Sequence, residues 1–351
     1  MAEILGLGCT HRPLMLRRNE DWTFMMRTAL ADPDMPEACK DPVNWPAELR
    51  QELGDDWGAA AAGRAREVYR RHFAEARRAL DDFKPEIVIM FGDDQYENFK
   101  EDIVPPFAVL AYQDRDIQPW AHRRTADNPW GEPADKVFHL KGHRAAGKYL
   151  ATGLIEAGID VAYAYKPLHH TLGHAFENTI LLLDDDRRGF DYPLIPVSVN
   201  CYGRRVNAAR GLRLPLAMRN DIRNLDPPSP NPARCMQVGA AVARVMAKSP
   251  WRTAIVASSS WSHSFLTEKN WQLWPDVPAD RLLYEALEQG DYATWHRYTT
   301  DQIEDSGQHE VLNWFCLLGA MEELGRRRPQ RSTFIETWAF VSPVVFAHYL
   351  P

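Results

Sequence analysis

The hydrophobic positions of the chain form short apolar runs that alternate with longer amphipathic stretches. Short apolar or β-branched runs predict buried strands, and apolar residues that recur every three to five positions among charges predict helices. The predicted strands are residues 2–9, 86–91, 107–112, 160–165, 192–199 and 252–258. The predicted helices are residues 64–83, 141–157, 175–183 and 232–248, and the C-terminal third is predicted to be mostly helical. This alternation predicts an α/β fold, with a central mixed sheet and helices on both faces.

One polar stretch, at about residues 17–62, interrupts the alternation. It contains tryptophans and four prolines, Pro33, Pro36, Pro42 and Pro46. Proline ends helices and strands, so we expect loops and short helices here, in an excursion that forms a lid over a site or an oligomer contact. We expect one catalytic domain over residues 1–351 with this excursion inserted in it.

Composition and charge narrow the class of protein. Hydrophobic residues make up 45% of the 351 residues, charged residues 25%, and the formal net charge is −7. These values are typical of a globular protein and give no support for a nucleic-acid partner or a membrane span. The N-terminus has no basic segment typical of a signal peptide, and the five cysteines form no CxxC pair. We therefore expect reduced thiols and a cytoplasmic location.

Polar residues follow several of the predicted strands, and the carboxyl ends of strands are where open α/β sheets bind ligands. These residues are His11, Asp93, Asp94, Gln95, His169, His170, His174 and His263. A further candidate, Glu310, lies at the start of a predicted helix. Two neutral ligands and one carboxylate on one face of a divalent ion are typical of non-haem Fe(II) oxygenases. The joint placement of these side chains therefore indicates a metal site at the strand ends.

Six segments, in order along the chain, carry a family resemblance. They are Gly8-Cys9-Thr10-His11-Arg12-Pro13, residues 85–96, Leu172-Gly173-His174-Ala175-Phe176-Glu177, residues 192–200, Ala257-Ser258-Ser259-Ser260-Trp261-Ser262-His263, and Gly307-Gln308-His309-Glu310 with Trp314. In these segments the chain resembles the class III extradiol ring-cleavage dioxygenases. The resemblance implies an oxidoreductase with one mononuclear Fe(II) site that cleaves a catechol-type aromatic diol with dioxygen as co-substrate. The expected product is a ring-opened semialdehyde-type acid, and a homo-oligomer is implied as well.

The resemblance also implies roles for individual residues. His11, Gln95 and Glu310 take the positions of the metal ligands, His263 that of the acid–base histidine, and His174 that of a second proton-handling histidine. The family usually has histidine where this chain has Gln95, and an amide oxygen is a weaker ligand than imidazole. Three interpretations follow: Gln95 binds the metal through oxygen, Asp94 or a histidine of residues 169–174 replaces it, or the site has lost iron.

Two other function classes stay open at this point. One is a metal-poor binding scaffold of the same fold, and the other is a Zn- or Mn-dependent hydrolase that uses Asp94, His11 and Glu310. The chain contains no GxSxG, P-loop or GxGxxG motif that would support acyl transfer, nucleotide hydrolysis or dinucleotide binding. Five arginines near the predicted site segments could bind a substrate carboxylate: Arg12, Arg123, Arg124, Arg204 and Arg205.

Overall fold

A computed structural model describes residues 2–121, 128–211, 215–218 and 225–351 of the chain. The strands of these ranges are β1 (Ile4–Cys9), β2 (Ile87–Asp93), β3 (Phe107–Leu110), β4 (Arg115–Ile117), β5 (Phe138–Leu140), β6 (Ala162–Ala164), β7 (Leu194–Val199), β8 (Thr253–Ser258), β9 (Arg331–Ile335) and β10 (Val344–Tyr349). The helices are α1 (Phe24–Leu30), α2 (Glu37–Lys40), α3 (Ala47–Leu53), α4 (Ala59–Phe83), α5 (Arg144–Glu156), α6 (His174–Leu183), α7 (Gly203–Ala208), α8 (Pro232–Ala247), α9 (Val277–Gln289), α10 (Tyr292–Arg297), α11 (Thr300–Ser306) and α12 (Leu312–Glu323).

Eight strands form one mixed sheet in the order β6-β3-β7-β2-β8-β1-β10-β9. The four central strands β7, β2, β8 and β1 are parallel to one another, so their carboxyl ends meet at one edge of the sheet. Antiparallel pairs join β3 to β7, β10 to β1 and β9 to β10. The predicted α/β class and central mixed sheet are confirmed.

Alternation along β2 shows how the sheet is covered on both faces. Ile87, Ile89 and Phe91 belong to one hydrophobic cluster, with residues of α5, α8 and α12. Val88 and Met90 belong to the other, with residues of α4 and α6. Successive side chains of a strand point to opposite faces, so a strand buried on both faces is apolar throughout.

Two glycines let α8 and α12 pack backbone against backbone. A Cβ on Gly239 would lie 1.7 Å from the carbonyl oxygen of Cys316, and one on Gly319 would lie 2.0 Å from that of Met236. No side chain fits at such distances, so glycine is required at both positions. This close packing holds α12, which directly follows Glu310, against the sheet.

The C-terminal third differs from its prediction in part. Helices α9 to α12 occupy residues 277–323 as expected, but the chain then forms β9 and β10. Every residue of β10 is buried, and the strand pairs with β1 on one side and β9 on the other. The segment after β3, in which no strand was predicted, contains the short strand β4, which pairs with β5.

The excursion at residues 17–62 consists of α1, α2, α3 and short 3₁₀ turns, as predicted, before α4 begins at Ala59. Glu52 ties it to the C-terminal region by accepting hydrogen bonds from the Thr337 hydroxyl and the backbone N–H groups of Trp338 and Ala339. Its role as a lid or as an oligomer contact stays a prediction. Among the described residues, no helix has the length and apolar character needed to cross a membrane.

Candidate metal centre

The four parallel strands bring the predicted site segments together at their carboxyl ends. Cys9 of β1 is in register with Ser258 of β8, and Asp93 of β2 is in register with Val199 of β7. The chain beyond each of these ends turns into the site. His11, the loop to His263 and the segment around Tyr202 therefore lie side by side.

Three side chains at this edge form a cluster that could hold a metal ion. Ligand-type atoms of His11, His174 and Glu310 all lie within 4.8 Å of one another. Nε2 of His11 is 3.4 Å from Oε2 of Glu310, and the rings of His11 and His174 meet edge to face with centroids 5.1 Å apart. Two donors that bind one ion at right angles, each at about 2.1 Å, are about 3 Å apart. The spacing of the His11 and Glu310 atoms is close to that value.

Hydrogen bonds behind His11 fix which ring nitrogen faces the cluster. Nδ1 of His11 lies 3.2 Å from the Ser258 hydroxyl, which also donates to the carbonyl oxygen of Ala175 at 2.6 Å. A serine hydroxyl has one hydrogen, so with that hydrogen on Ala175 it accepts from His11 Nδ1–H. Nε2 of His11 then carries the lone pair, and it is buried without a hydrogen-bond partner among the described residues. Burial lowers the pKa of His11 to about 4, which keeps this lone pair free at neutral pH.

Glu97 orients His174 in a similar way. One of its carboxylate oxygens accepts from the backbone N–H of His174 at 2.9 Å and from Nδ1–H at 3.0 Å. A carboxylate behind a histidine is the usual support of a metal ligand, because it fixes the ring and leaves Nε2 for the ion. Although burial opposes the charged ring, the carboxylates of Glu97, Asp93 and Glu310 raise the pKa of His174 to about 10. A divalent cation at Nε2 would displace that proton.

Glu310 lies in the turn that precedes α12 and is fully buried. One oxygen accepts from the backbone N–H of Ser260 at 2.6 Å, and the other from the hydroxyl of Tyr202. Nε2 of His263 is 3.1 Å from the same oxygen as Tyr202. Burial alone would favour the neutral acid, but His263 and His11 hold the pKa of Glu310 well below its usual range. The carboxylate is therefore charged at the centre of the site.

A buried acid in α9 holds the His263 loop beside the Glu310 turn. Asp280 accepts from the backbone and hydroxyl of Ser262 and from the amide of Gln308 at 2.7 Å. The backbone N–H of His263 also donates to the carbonyl oxygen of Gly307 at 2.9 Å. Burial raises the pKa of Asp280 to about 7 in spite of these hydrogen bonds. Asp280 thus couples two segments that are 46 residues apart in the numbering from Ser262 to Gln308.

The structure places the predicted ligand Gln95 beside the cluster, with its amide engaged elsewhere. Nε2 of Gln95 donates to the carbonyl oxygen of Gly211 at 2.7 Å, and Oε1 is 3.5 Å from the hydroxyl of Tyr202. Ligation by Gln95 stays a prediction.

The two proposed substitutes for Gln95 differ in position. Asp94 accepts from the backbone N–H groups of Glu97, Asn98 and Phe99, which makes it the anchor of the loop after β2. His169 is exposed and bonds to Asp102, and His170 lies near the surface. Of the histidines in residues 169–174, His174 is the one in the cluster.

Two residues of the site, Tyr202 and Glu97, carry no strong signal in the sequence. Tyr202 lies three residues beyond β7, and Glu97 lies in the loop after β2. Both lie just outside the segments that carry the resemblance, and a tyrosine or a glutamate in a loop is most often a surface residue. Asp93, the last residue of β2, was among the candidates because it lies at a strand end, where α/β sheets bind ligands.

The donor set fits a divalent cation of the Fe(II) type. It offers imidazole and carboxylate groups, with a buried imidazole nitrogen and a buried carboxylate, Asp93, that both lack a hydrogen-bond partner among the described residues. Buried polar atoms are almost always satisfied, so unsatisfied atoms on two neighbours of His174 favour a missing partner there. Imidazole with carboxylate is the ligand type that iron and zinc share, so the donors alone do not select between the two metals.

The arginines proposed to bind a substrate carboxylate lie in different environments. Arg12 is buried and donates to the carbonyl oxygens of Phe340 and Ser342, so it is part of the fold. Arg204 pairs with Glu304 and Arg205 with Glu268. Arg123 and Arg124 lie outside the described residues.

A cavity of about 190 Å³ has Arg205, Phe265 and His309 in its lining. The ring of Phe265 meets the ring of His263 with centroids 5.1 Å apart. The ring of His309 stacks at 6.4 Å on Tyr202, which bonds to Glu310. The cavity is therefore linked to His263 through Phe265, and to Glu310 through His309 and Tyr202.

Comparison with known proteins supports the resemblance found in the sequence. Residues 222–341 match the family model described as the catalytic LigB subunit of aromatic ring-opening dioxygenase. A 2,3-dihydroxyphenylpropionate/2,3-dihydroxicinnamic acid 1,2-dioxygenase from Burkholderia vietnamiensis is 28% identical over 273 residues, covering 71% of this chain and 80% of the relative. The protein of the same name from Paraburkholderia xenovorans is 27% identical, covering 76% and 84%. That from a Mycobacterium species is 25% identical, covering 82% and 88%. The predicted resemblance is confirmed, and these relatives are extradiol ring-cleaving dioxygenases.

Proposed function

We propose that this chain, which is similar to the LigB class III extradiol dioxygenase family, cleaves a catechol-type diol at a single Fe(II) ion bound among His11, His174 and Glu310. The observation that carries the proposal is the cluster of these three side chains at the carboxyl ends of the parallel strands, with His263 against Glu310. When bound, Fe(II) would supply a Lewis acid and an electron path that bring a diol and dioxygen to one centre.

His263 is the proposed acid–base residue. Its Nε2 lies at the Glu310 carboxylate, and its Nδ1 is buried without a hydrogen-bond partner in the described part of the chain. A histidine can accept a proton from a diol hydroxyl and return it later, because its charge changes near neutral pH. The anchor provided by Asp280 keeps this ring at the edge of the site.

His174 has two proposed roles, that of a ligand and that of a hydrogen-bond donor to a substrate oxygen. Its Nε2 is in the cluster, while Glu97 holds Nδ1 on the other side of the ring. Gln95 remains a proposed ligand through its amide oxygen, on the basis of its position in the family pattern.

The cavity lined by Arg205, Phe265 and His309 is the proposed place of the aromatic ring. Aromatic side chains offer flat apolar contact to such a ring. Arg205 pairs with Glu268 in the structure, so it would exchange that carboxylate for an acidic substituent of the substrate. The relatives are named for dihydroxyphenylpropionate and its cinnamic analogue, so we propose an aromatic diol with an acidic side chain as the substrate class.

Anaerobic reconstitution with Fe(II), followed by addition of catechols and air, tests the function. We expect oxygen uptake, one dioxygen per diol, and a coloured ring-opened product. His263→Gln should bind the metal as the wild type does and lose about 10²–10⁴-fold in kcat, the usual contribution of a general acid–base group. Iron binding without oxygen uptake would support the scaffold alternative. Turnover independent of oxygen with Zn or Mn would support the hydrolase.

We also propose a homo-oligomer and a cytoplasmic location. Support for the first comes from β6, which pairs only with β3 among the described strands and exposes Tyr163, with Tyr165 and Leu168 exposed just beyond it. An open strand edge with apolar side chains is a common contact between subunits. The five cysteines form no disulfide, in keeping with a reducing compartment.

A further inference from the structure

The last residue of β2 is a buried acid that the fold leaves unsatisfied. Asp93 is 0% exposed, and neither of its carboxylate oxygens has a hydrogen-bond partner among the described residues. A buried carboxylate normally has several donors, because removing it from water without them is costly. Asp94, its neighbour, shows the normal case with three backbone N–H donors.

Asp93 faces the metal-binding cluster. Its Oδ2 lies 3.9 Å from Nε2 of His174, the atom that His174 contributes to the cluster. In β2 it alternates with Gly92, and it therefore lies on the same face of the sheet as Phe91 and the helix α12 that follows Glu310. Two carboxylates, Asp93 and Glu310, thus share one water-poor space in which His11 is neutral.

We propose that Asp93 is a metal ligand of this site and supplies the donor that the family pattern places at the position of Gln95. The inference rests on the proposed function, since it concerns the same ion. A divalent cation beside Asp93 would provide the partner that its two oxygens lack. It would also explain why the Gln95 amide can donate a hydrogen bond to the carbonyl oxygen of Gly211 without a loss of the metal site. With a second carboxylate the site favours oxygen-preferring ions such as Mn(II) and Fe(II) more than an imidazole-rich site does.

Metal titration of the full-length protein tests the assignment. Apo protein is titrated anaerobically with Mn(II) and with Fe(II), using calorimetry and Mn(II) electron paramagnetic resonance, for the wild type, Asp93→Asn and Gln95→Ala. We expect one ion per wild-type chain and an unchanged affinity in Gln95→Ala. Asp93→Asn should bind at least about 100-fold more weakly, the upper range for loss of a supporting group of a metal site.

Thermal unfolding adds a second readout, the difference in stability between Asp93→Asn and the wild type, which metal is expected to shift in favour of the wild type. Without metal, Asp93→Asn should be more stable than the wild type, because a neutral amide costs less to bury than a carboxylate without donors. With metal in excess, the wild type should gain more in Tm than the variant, because stabilisation by a ligand follows its affinity. Asp184→Asn is the matched control: this acid is also buried but paired with Arg77, at the far end of α6. It should lose stability without metal and keep the wild-type affinity.

The outcomes separate the inference from the proposed function. Wild-type affinity in a folded Asp93→Asn would overturn the inference alone, as would loss of affinity in Gln95→Ala with retention in Asp93→Asn. Absence of Mn(II) and Fe(II) binding by the wild type would overturn both. If Asp93→Asn does not fold, the anomalous signal of Mn(II) in wild-type crystals decides. An Asp93 oxygen within about 2.2 Å of the ion supports the inference, and a longer distance overturns it.

Discussion

Ser258 offers a way to change the candidate metal centre without touching a proposed ligand. Its hydroxyl is fully buried at the end of β8, where it donates to the carbonyl oxygen of Ala175 and accepts from Nδ1 of His11. The Thr179 hydroxyl lies 2.6 Å away and is the donor of that pair, since the hydrogen of Ser258 is already used. Ser258→Ala removes all three interactions. The imidazole of His11 is then free to rotate or to change tautomer, so that Nε2 no longer faces Glu310 as a lone pair.

The magnitude follows from the groups left unpaired. Loss of a hydrogen-bonding group behind a metal-binding histidine typically lowers metal affinity 10- to 100-fold, which is about 1.4–2.8 kcal/mol. Each buried polar group left without a partner costs about 1–3 kcal/mol of folding free energy. We therefore expect Ser258→Ala to bind Fe(II) or Mn(II) 10- to 100-fold more weakly. The variant should also be less stable than the wild type even without metal.

Thr179→Val is the matched control, because it removes one hydrogen bond of Ser258 and leaves the bond to His11. Calorimetric titration of both apo variants gives the affinities, and urea unfolding gives the stabilities. Nitrogen-15 NMR of the histidine rings reports the tautomer of His11 directly. A folded Ser258→Ala with wild-type affinity would refute the reasoning, and so would an equal loss of affinity in Thr179→Val.

Two further predictions concern the pH dependence of stability, with opposite signs. Burial on β10 lowers the pKa of His348 to about 4. The contribution of the neutral ring to folding stability is therefore present above pH 6.5 and is lost as the pH falls from 6.5 to 4. At about 1.4 kcal/mol per pKa unit this loss reaches up to about 3 kcal/mol. The free energy of unfolding of His348→Leu, measured with urea, should therefore depend less on pH between 4 and 6.5 than that of the wild type. The same pH dependence in both proteins would contradict the assignment. Burial raises the pKa of Asp280 to about 7. The contribution of the protonated carboxyl group to folding stability is therefore present below pH 3.8 and is lost as the pH rises to 7. The stability of Asp280→Asn relative to the wild type should therefore increase by up to about 4 kcal/mol from pH 4 to 7, and a difference independent of pH would count against it.

Much of the fold was predictable because strand and helix patterns in this chain are strong. The β2 run is apolar at each of its first five positions, and α4 has apolar residues at helical spacing, so tertiary contacts do not oppose local preference. The C-terminal strands were not predicted. Most of β9 is polar, and β10 depends on pairing with β1, more than 330 residues earlier in the chain. Such a distant partner leaves no trace in a local pattern.

The site was predictable to the same extent. His11, His174, His263 and Glu310 each follow a strand or open a helix, and the sequence can place all four at one edge of the sheet because parallel strands align their carboxyl ends. The side chains behind them could not be derived in this way. Ser258 and Glu97 act through hydrogen bonds to particular ring nitrogens, and such contacts depend on rotamers and on packing between segments far apart in the chain.

The position of Gln95 shows why a motif and a structure can lead to different ligand sets. A motif aligns residues by their order, and in that order Gln95 replaces a histidine, which makes the metal site look impaired. In the structure, proximity in space matters instead of order. Asp93 lies two residues before Gln95 at the same strand end, buried and without a hydrogen-bond partner among the described residues. A donor lost at one position of a turn can be supplied by another position whose side chain reaches the same ion, provided that its charge is compensated there. A bound cation would meet that condition for Asp93, His174 and Glu310, whereas without one, burial and Glu310 raise the pKa of Asp93 well above its usual range.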